Sequence, residues 1–213
     1  MIKRKLKNLK AIIKNRLFKK EIDSFWIQEV MVYKTQNRIQ VFDKYLMRKK
    51  VLHIGCTDFP IFDPKNNLHI QISNKCKELH GLDIDFEGIE VLKKHFDGKY
   101  YTSMAEVSED YDTVLVPETI EHVENIKKFL NEMEKINARN YIISAPNCFN
   151  SHFKHGFLNK KNNIFREIIH PDHNCWFSPY TLKNVIEKYT NLKVKEIHLS
   201  NYNLMVICIC ERR

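Results

Sequence analysis

The sequence predicts a three-layer α/β domain: a seven-stranded, mostly parallel sheet with an antiparallel last strand, preceded by N-terminal helices. Three observations carry this. From residue 50 onward short apolar runs alternate with amphipathic stretches, as βαβ units require. A long helical pattern without Gly or Pro precedes them. The last two apolar runs are separated only by Ser200, Asn201 and Tyr202, a connection that fits antiparallel neighbours.

The strands read VLHIG (51–55), ELHGLDI (78–84), KYYTS (99–103), DTVLV (112–116), NYIISA (140–145), LKVKEIHLS (192–200) and NLMVICIC (203–210). Helical stretches fall around 68–77, 87–96 and 120–136. Ahead of them, residues 21–47 read as helix, with Phe25, Trp26, Val30, Val32 and Tyr33 among the apolar positions. The chain therefore divides into a helical extension, 1–47, and an α/β domain, 48–213.

The net charge of +9 is local. Residues 1–20 hold nine Lys or Arg and no acid, and the remaining 26 basic residues balance 26 acidic ones. Within this arm Ile2, Leu6, Leu9, Ile13 and Leu17 form one apolar stripe on a helix, flanked by cations. That pattern fits a helix docked on its own domain, a peripheral contact with an anionic membrane, or a contact with RNA. No apolar run is long enough to span a bilayer, and there is no signal-peptide pattern, so the expected location is cytoplasmic, with a peripheral place at the inner face of the membrane if the arm binds lipid. The six cysteines form no CxxC pair and read as reduced thiols.

Open parallel sheets bind ligands beyond the carboxyl ends of their strands. There the first strand ends in His53, Ile54, Gly55, Cys56, Thr57 and Asp58; the second ends in Asp83 and Ile84; Ser103 and Met104 follow the third; Pro117 closes the fourth. Gly55 is a turn residue, and Asp83 is either a helix cap or an acceptor for ribose hydroxyls.

This order, together with YDTVLVPETIEHV, resembles the class I S-adenosylmethionine-dependent methyltransferases, in their small O-methyltransferase-like branch, over about Val51 to the C-terminus. The resemblance implies a Rossmann-like methyltransferase fold and S-adenosylmethionine as cofactor. Gly55 then lets the backbone approach the methionine part, Asp83 holds the ribose, and Ser103 and Met104 lie beside the adenine. His53, Cys56, Asp58, Ile84 and Pro117 complete the cofactor set. The sequence departs from the family's acid-x-Gly-x-Gly-x-Gly loop: one of three glycines survives, His53 replaces the leading acid, and Asp58 is the substitute acid near the cofactor amine.

At the acceptor end, Glu118, Glu121 and His122 fall within five positions. If Thr119 caps a helix, Glu121 benefits from its dipole, which leaves Glu118 and His122 unexplained. HPDHNCWFSPYTL (170–182) adds His173, in a segment from Pro146 to Ser178 that also holds His152, His155 and His170 and reads as an ordered cover over the acceptor. ExxEH with a distant DHxxW resembles the metal site of small-RNA 3′-end 2′-O-methyltransferases. Carried over, Glu118, Glu121, His122 and His173 would bind a divalent ion, Mg²⁺ or Mn²⁺ among the candidates. Without a metal, Glu121, His122 and His173 are the catalytic candidates, with His173 as general base.

The expected function is O-methylation of a hydroxyl on a sugar, surface-polysaccharide or glycolipid intermediate. HPDHNCWFSP is similar in texture to small methyltransferases of surface-polysaccharide pathways. RNA 2′-O-methylation with a divalent metal is the alternative, and a non-catalytic binding protein on a methyltransferase fold is the third; the neutral body weighs against nucleic acid.

Overall fold

The computed structural model describes residues 24–150, 156–159 and 161–213, which leaves the basic arm, His152 and His155 outside the described residues. The chain forms two compact units, Met1–Val30 and Met31–Arg213. In the first, the described part is a 3-10 turn, Ser24–Trp26, whose Phe25 carbonyl accepts a hydrogen bond from the Gln28 side chain. The second unit carries the sheet and the helices that cover it.

Its strands are β1 (Tyr33–Lys34), β2 (Lys50–Ile54), β3 (Glu78–Leu82), β4 (Lys99–Tyr101), β5 (Tyr111–Val116), β6 (Ala138–Pro146), β7 (Gly156–Asn159), β8 (Ile164–Glu167), β9 (Leu192–Ser200) and β10 (Met205–Arg212). The helices are α1 (Arg38–Leu46), α2 (Leu68–Ser73), α3 (Phe86–Lys93), α4 (Ile126–Lys135) and α5 (Pro179–Tyr189). Eight strands form the main sheet in the order β1-β9-β10-β6-β5-β2-β3-β4, and β7 and β8 pair separately. The five strands β6, β5, β2, β3 and β4 run parallel, and only β10 runs against its neighbours. The seven expected strands are all present, and β1 extends the sheet past the terminal hairpin by pairing parallel with β9.

That eighth strand corrects the helical reading of 21–47. Val32 and Tyr33 are β-branched and aromatic and favour extended chain. Helix resumes only where the Asn37 side chain accepts a hydrogen bond from the Ile39 N–H at the start of α1. α1 then buries Val41, Phe42 and Leu46 against Val51, Leu115 and Ile142 of the sheet, beside Leu68 and Ile72 of α2. Val114, Val116 and Ile143 alternate to the opposite face and are fully buried there, giving the three expected layers.

A second correction concerns residues 119–125. They form turns, not the first turns of a helix; α4 begins at Ile126, capped by the Asn125 side chain on the Lys128 N–H. Thr119 caps nothing, and its hydroxyl donates to the Pro117 carbonyl at 2.9 Å. The helix-dipole explanation for Glu121 therefore falls away.

Candidate active site

The strand order reverses between β2 and β5: β3 and β4 lie on one side of β2, while β5 and β6 lie on the other. Crossovers leave this point in opposite directions, so the carboxyl ends of β2 and β5 border a crevice. Gly55, the first residue past β2, sits there with φ +77°. A Cβ at Gly55 would collide with the Thr119 hydroxyl, so the two strand ends close on each other only because this residue is glycine.

Of the missing glycines, Thr57 occupies the second position and is buried. Its N–H and hydroxyl both donate to Asp83 Oδ2, at 3.1 and 3.0 Å. Asp83 Oδ1 accepts from the Asp85 N–H at 3.0 Å. The acid at the end of β3 thus ties down the turn after β2, a structural duty the motif alone does not reveal. Asp58, also at positive φ, accepts from the Asn67 side chain at 2.9 Å. Beyond Asp83, Ile84 is 89% exposed and Phe86 62%, an apolar platform at the open end of the crevice. Ser103 caps a short 3-10 turn, Met104–Glu106, next to the Asp83 N–H, which donates to the Tyr101 carbonyl. Pro117 is buried at the end of β5.

Two of the expected cofactor residues turn away. His53 is 1% exposed, and its Nδ1 lies 3.2 Å from His69 Nδ1, with the two rings stacked. Burial drives its pKa well below the usual imidazole range, so it is a neutral core residue and not a substitute for the leading acid. The Cys56 thiol is likewise buried, against Gly81, which leaves its backbone alone for any ligand.

The VPET turn separates the two glutamates. Glu118 adopts φ +43°, a conformation that costs a non-glycine residue about 1 kcal/mol or more. Its N–H donates to the Ser144 carbonyl, and its carboxylate accepts from the Ser144 hydroxyl at 2.5 Å and pairs with Arg38. Glu118 is therefore committed to β6 and α1 and does not join the expected metal quartet.

Glu121 is in the opposite state. It is 1% exposed, and neither carboxylate oxygen has a hydrogen-bond partner. Burial, and secondarily the charge of Glu118, pushes its pKa up to about 8. His173 Nε2 lies 3.9 Å from its Oε1. His122 and His173 meet edge to face with ring centroids 4.5 Å apart, and His170 adds a third ring 5.3 Å from His122. Asn174 staples the two segments: its N–H donates to the Glu121 carbonyl at 2.8 Å and its side chain to the His122 carbonyl at 2.8 Å. Sequence spacing groups Glu121, His122 and His173, and the structure brings these three together. It misses His170, Asn174, Thr57 and Arg38; HPDHN holds a signal for the first two, whereas Arg38 comes from a segment that reads only as helix.

No family model and no curated protein matches the chain. Solved structures do. A SAM-dependent methyltransferase from Aquifex aeolicus is 10% identical over 83% of this chain and 88% of that one, with a TM-score of 0.55. Magnesium protoporphyrin IX methyltransferase from Synechocystis, solved with S-adenosylhomocysteine, is 16% identical over 82% and 79%, with a TM-score of 0.53. The N-methyltransferase NodS from Bradyrhizobium japonicum is 13% identical over 82% and 91%, with a TM-score of 0.51. The chain has the class I SAM-dependent methyltransferase fold.

Gly55, Asp83, Ile84, Ser103 and Met104 follow the ends of β2, β3 and β4, while Glu121 and His122 follow β5 and are joined to the His170–His173 segment through Asn174. The segment after β6 closes on itself where the Cys148 N–H donates to the Phe177 carbonyl at 2.8 Å. It also carries the β7–β8 hairpin, an element the expected cover did not include. Among the described residues no helix is long and apolar enough to cross a membrane.

Proposed function

We propose that this chain is an S-adenosylmethionine-dependent methyltransferase that methylates a hydroxyl of a sugar, polysaccharide or glycolipid intermediate. The observation that carries the reading is Glu121, a buried carboxylate without a hydrogen-bond partner, two residues past Thr119, which packs on the Gly55 turn.

The residues at the other end fit the cofactor. Gly55 lets the turn after β2 close on Thr119, Asp83 Oδ1 retains a lone pair for a ribose hydroxyl, and Ile84 offers an apolar face to a base. The cofactor supplies an electrophilic methyl group on a sulfonium. The protein must then align the acceptor oxygen and take its proton. Glu121 is the base in this reading: with its pKa pushed up to about 8 by burial, its ionised form accepts a proton far more readily than an exposed glutamate does. Support for a polyhydroxylated acceptor comes from the rings around it, since His122, His173 and Trp176 combine hydrogen-bonding edges with flat faces that pack on sugar rings.

Calorimetric titration with S-adenosylmethionine tests the reading, using wild type and Asp83→Ala, followed by transfer of labelled methyl to a panel of sugars and lipid-linked sugars. One-to-one binding that weakens at least tenfold in Asp83→Ala is expected. A chain that binds no S-adenosylmethionine would overturn the proposal.

A further inference from the structure

His122, His170 and His173 each offer a ring nitrogen within 4.8 Å of the other two. We propose that these three imidazoles form a binding site for a first-row divalent ion, Zn²⁺ by preference, on the acceptor side of the crevice. This is not the quartet expected from sequence spacing: Glu118 is withdrawn to Arg38 and Ser144, and His170 takes its place.

The geometry has several independent supports. Imidazole nitrogens around a tetrahedral ion at about 2.0–2.1 Å stand roughly 3.4 Å apart, so small side-chain rotations close the observed spacing. The three rings are held by two segments that Asn174 fixes to each other through both its backbone and its side chain. His173 Nδ1 is buried without a hydrogen-bond partner, and Glu121, with two unpartnered oxygens, lies beside His173 on the inner side. The rings give one another no hydrogen bond, although they are close enough that protonating all three would place like charges together. A cation on the three rings takes up imidazole lone pairs and sets a compensating charge near the orphaned Glu121 carboxylate. His170, with its side chain 39% exposed, marks the solvent side, which leaves an entry path and an open coordination position.

Three nitrogen donors define the ion class. Imidazoles suit Zn²⁺, Co²⁺, Ni²⁺ and Fe²⁺, whereas Mg²⁺ prefers an all-oxygen shell and keeps its water, so Mg²⁺, a candidate for the quartet of two carboxylates and two imidazoles, does not match these three ligands. The second group of similar density, Glu78, His80 and Glu109, is already neutralised by Lys50 and Lys99. Ion binding stands on these residues alone; its use, to hold an acceptor oxygen in the open position beside Glu121, rests on the proposed methyl transfer.

Chelator-treated full-length protein is titrated with Zn²⁺ by calorimetry and with Co²⁺ by visible absorption. The expected result is one equivalent bound, with ligand-field bands of a low-coordinate site and no thiolate charge-transfer band. Affinity should fall at least tenfold in both His122→Ala and His170→Ala, and persist in Glu118→Gln and Cys175→Ser. Matching melting temperatures of the metal-free His170→Ala and wild-type proteins establish that the variant is folded. Absence of stoichiometric uptake, or uptake indifferent to His122 and His170, overturns the site. S-adenosylmethionine titrated into the metal-free protein separates the two readings: loss of that binding with the ion still taken up removes the methyltransferase proposal and leaves the metal site.

Discussion

Arg38, at the first turn of α1, pairs with Glu118, at the end of β5, eighty positions away in the chain. The pair joins an N-terminal element to the turn that presents Glu121, and both side chains are about one-fifth exposed, 22% and 21%. Burial raises the Glu118 pKa, while the Arg38 charge and the Ser144 hydroxyl pull it back down. Removing Arg38 leaves a half-sunk carboxylate with one neutral donor. Arg38→Ala is expected to cost about 1–3 kcal/mol of stability at neutral pH. Glu118→Gln in that background should recover part of it. Urea denaturation of the four proteins in this cycle measures the coupling, and strictly additive losses would show that the pair does not hold the turn.

Gly55 faces Thr119 across the same crevice. An alanine there meets two penalties, a φ of +77° and a Cβ driven into the Thr119 hydroxyl. Gly55→Ala should lose about 1–3 kcal/mol of stability and bind S-adenosylmethionine at least tenfold more weakly. Thr119→Ala on top of it removes the clash but not the backbone strain, so it should restore part of the stability. Thermal melts and calorimetry on the single and double variants check both statements.

The acceptor base makes a kinetic prediction. Glu121→Gln keeps the shape of the side chain and removes the proton acceptor, so methyl transfer should slow by about 10²–10⁴, with little change in cofactor affinity. Because Glu121 must lose its own proton to act, the rate of chelator-treated wild type should climb with pH and level off above about 8, and the variant's residual rate should lack that step. A wild-type profile that is flat between pH 6 and 9 would assign the proton to another group.

How much of this is legible in the sequence follows from the range of each interaction. β9 reads correctly to the residue because its alternation and turn signals are local. Glu121, His122 and His173 are legible because two short motifs carry them. Local pattern fails where distant partners decide the structure. Val32 and Tyr33 sit in a helix-like context, yet this segment enters the sheet through the pairing of Tyr33 with β9, far along the chain. Glu118 looks like its neighbour Glu121, but a left-handed turn and Arg38 send it elsewhere. His53 stands where an acid would touch the cofactor, and only the packing of α2 shows that its partner is His69.

That last pair contributes to the acid sensitivity of the fold. His53 and His69 are both buried, one Nδ1 donates to the other at 3.2 Å, and each Nε2 lacks a hydrogen-bond partner. Burial lowers both pKa values from the ordinary 6.5 of an imidazole, that of His69 to about 3. Below pH 6.5 the unfolded chain therefore takes up protons that the native state refuses, so stability rises with pH across that window and is fully present only above it. Each imidazole contributes up to about 1.4 kcal/mol per pH unit. His69→Gln keeps a hydrogen-bonding side chain and deletes one titration. The fall in unfolding free energy between about pH 7.5 and pH 5, measured by urea denaturation, should shrink by about 2 kcal/mol in this variant, whatever its stability at neutral pH. An unchanged pH dependence would mean that His69 already carries its proton in the folded protein.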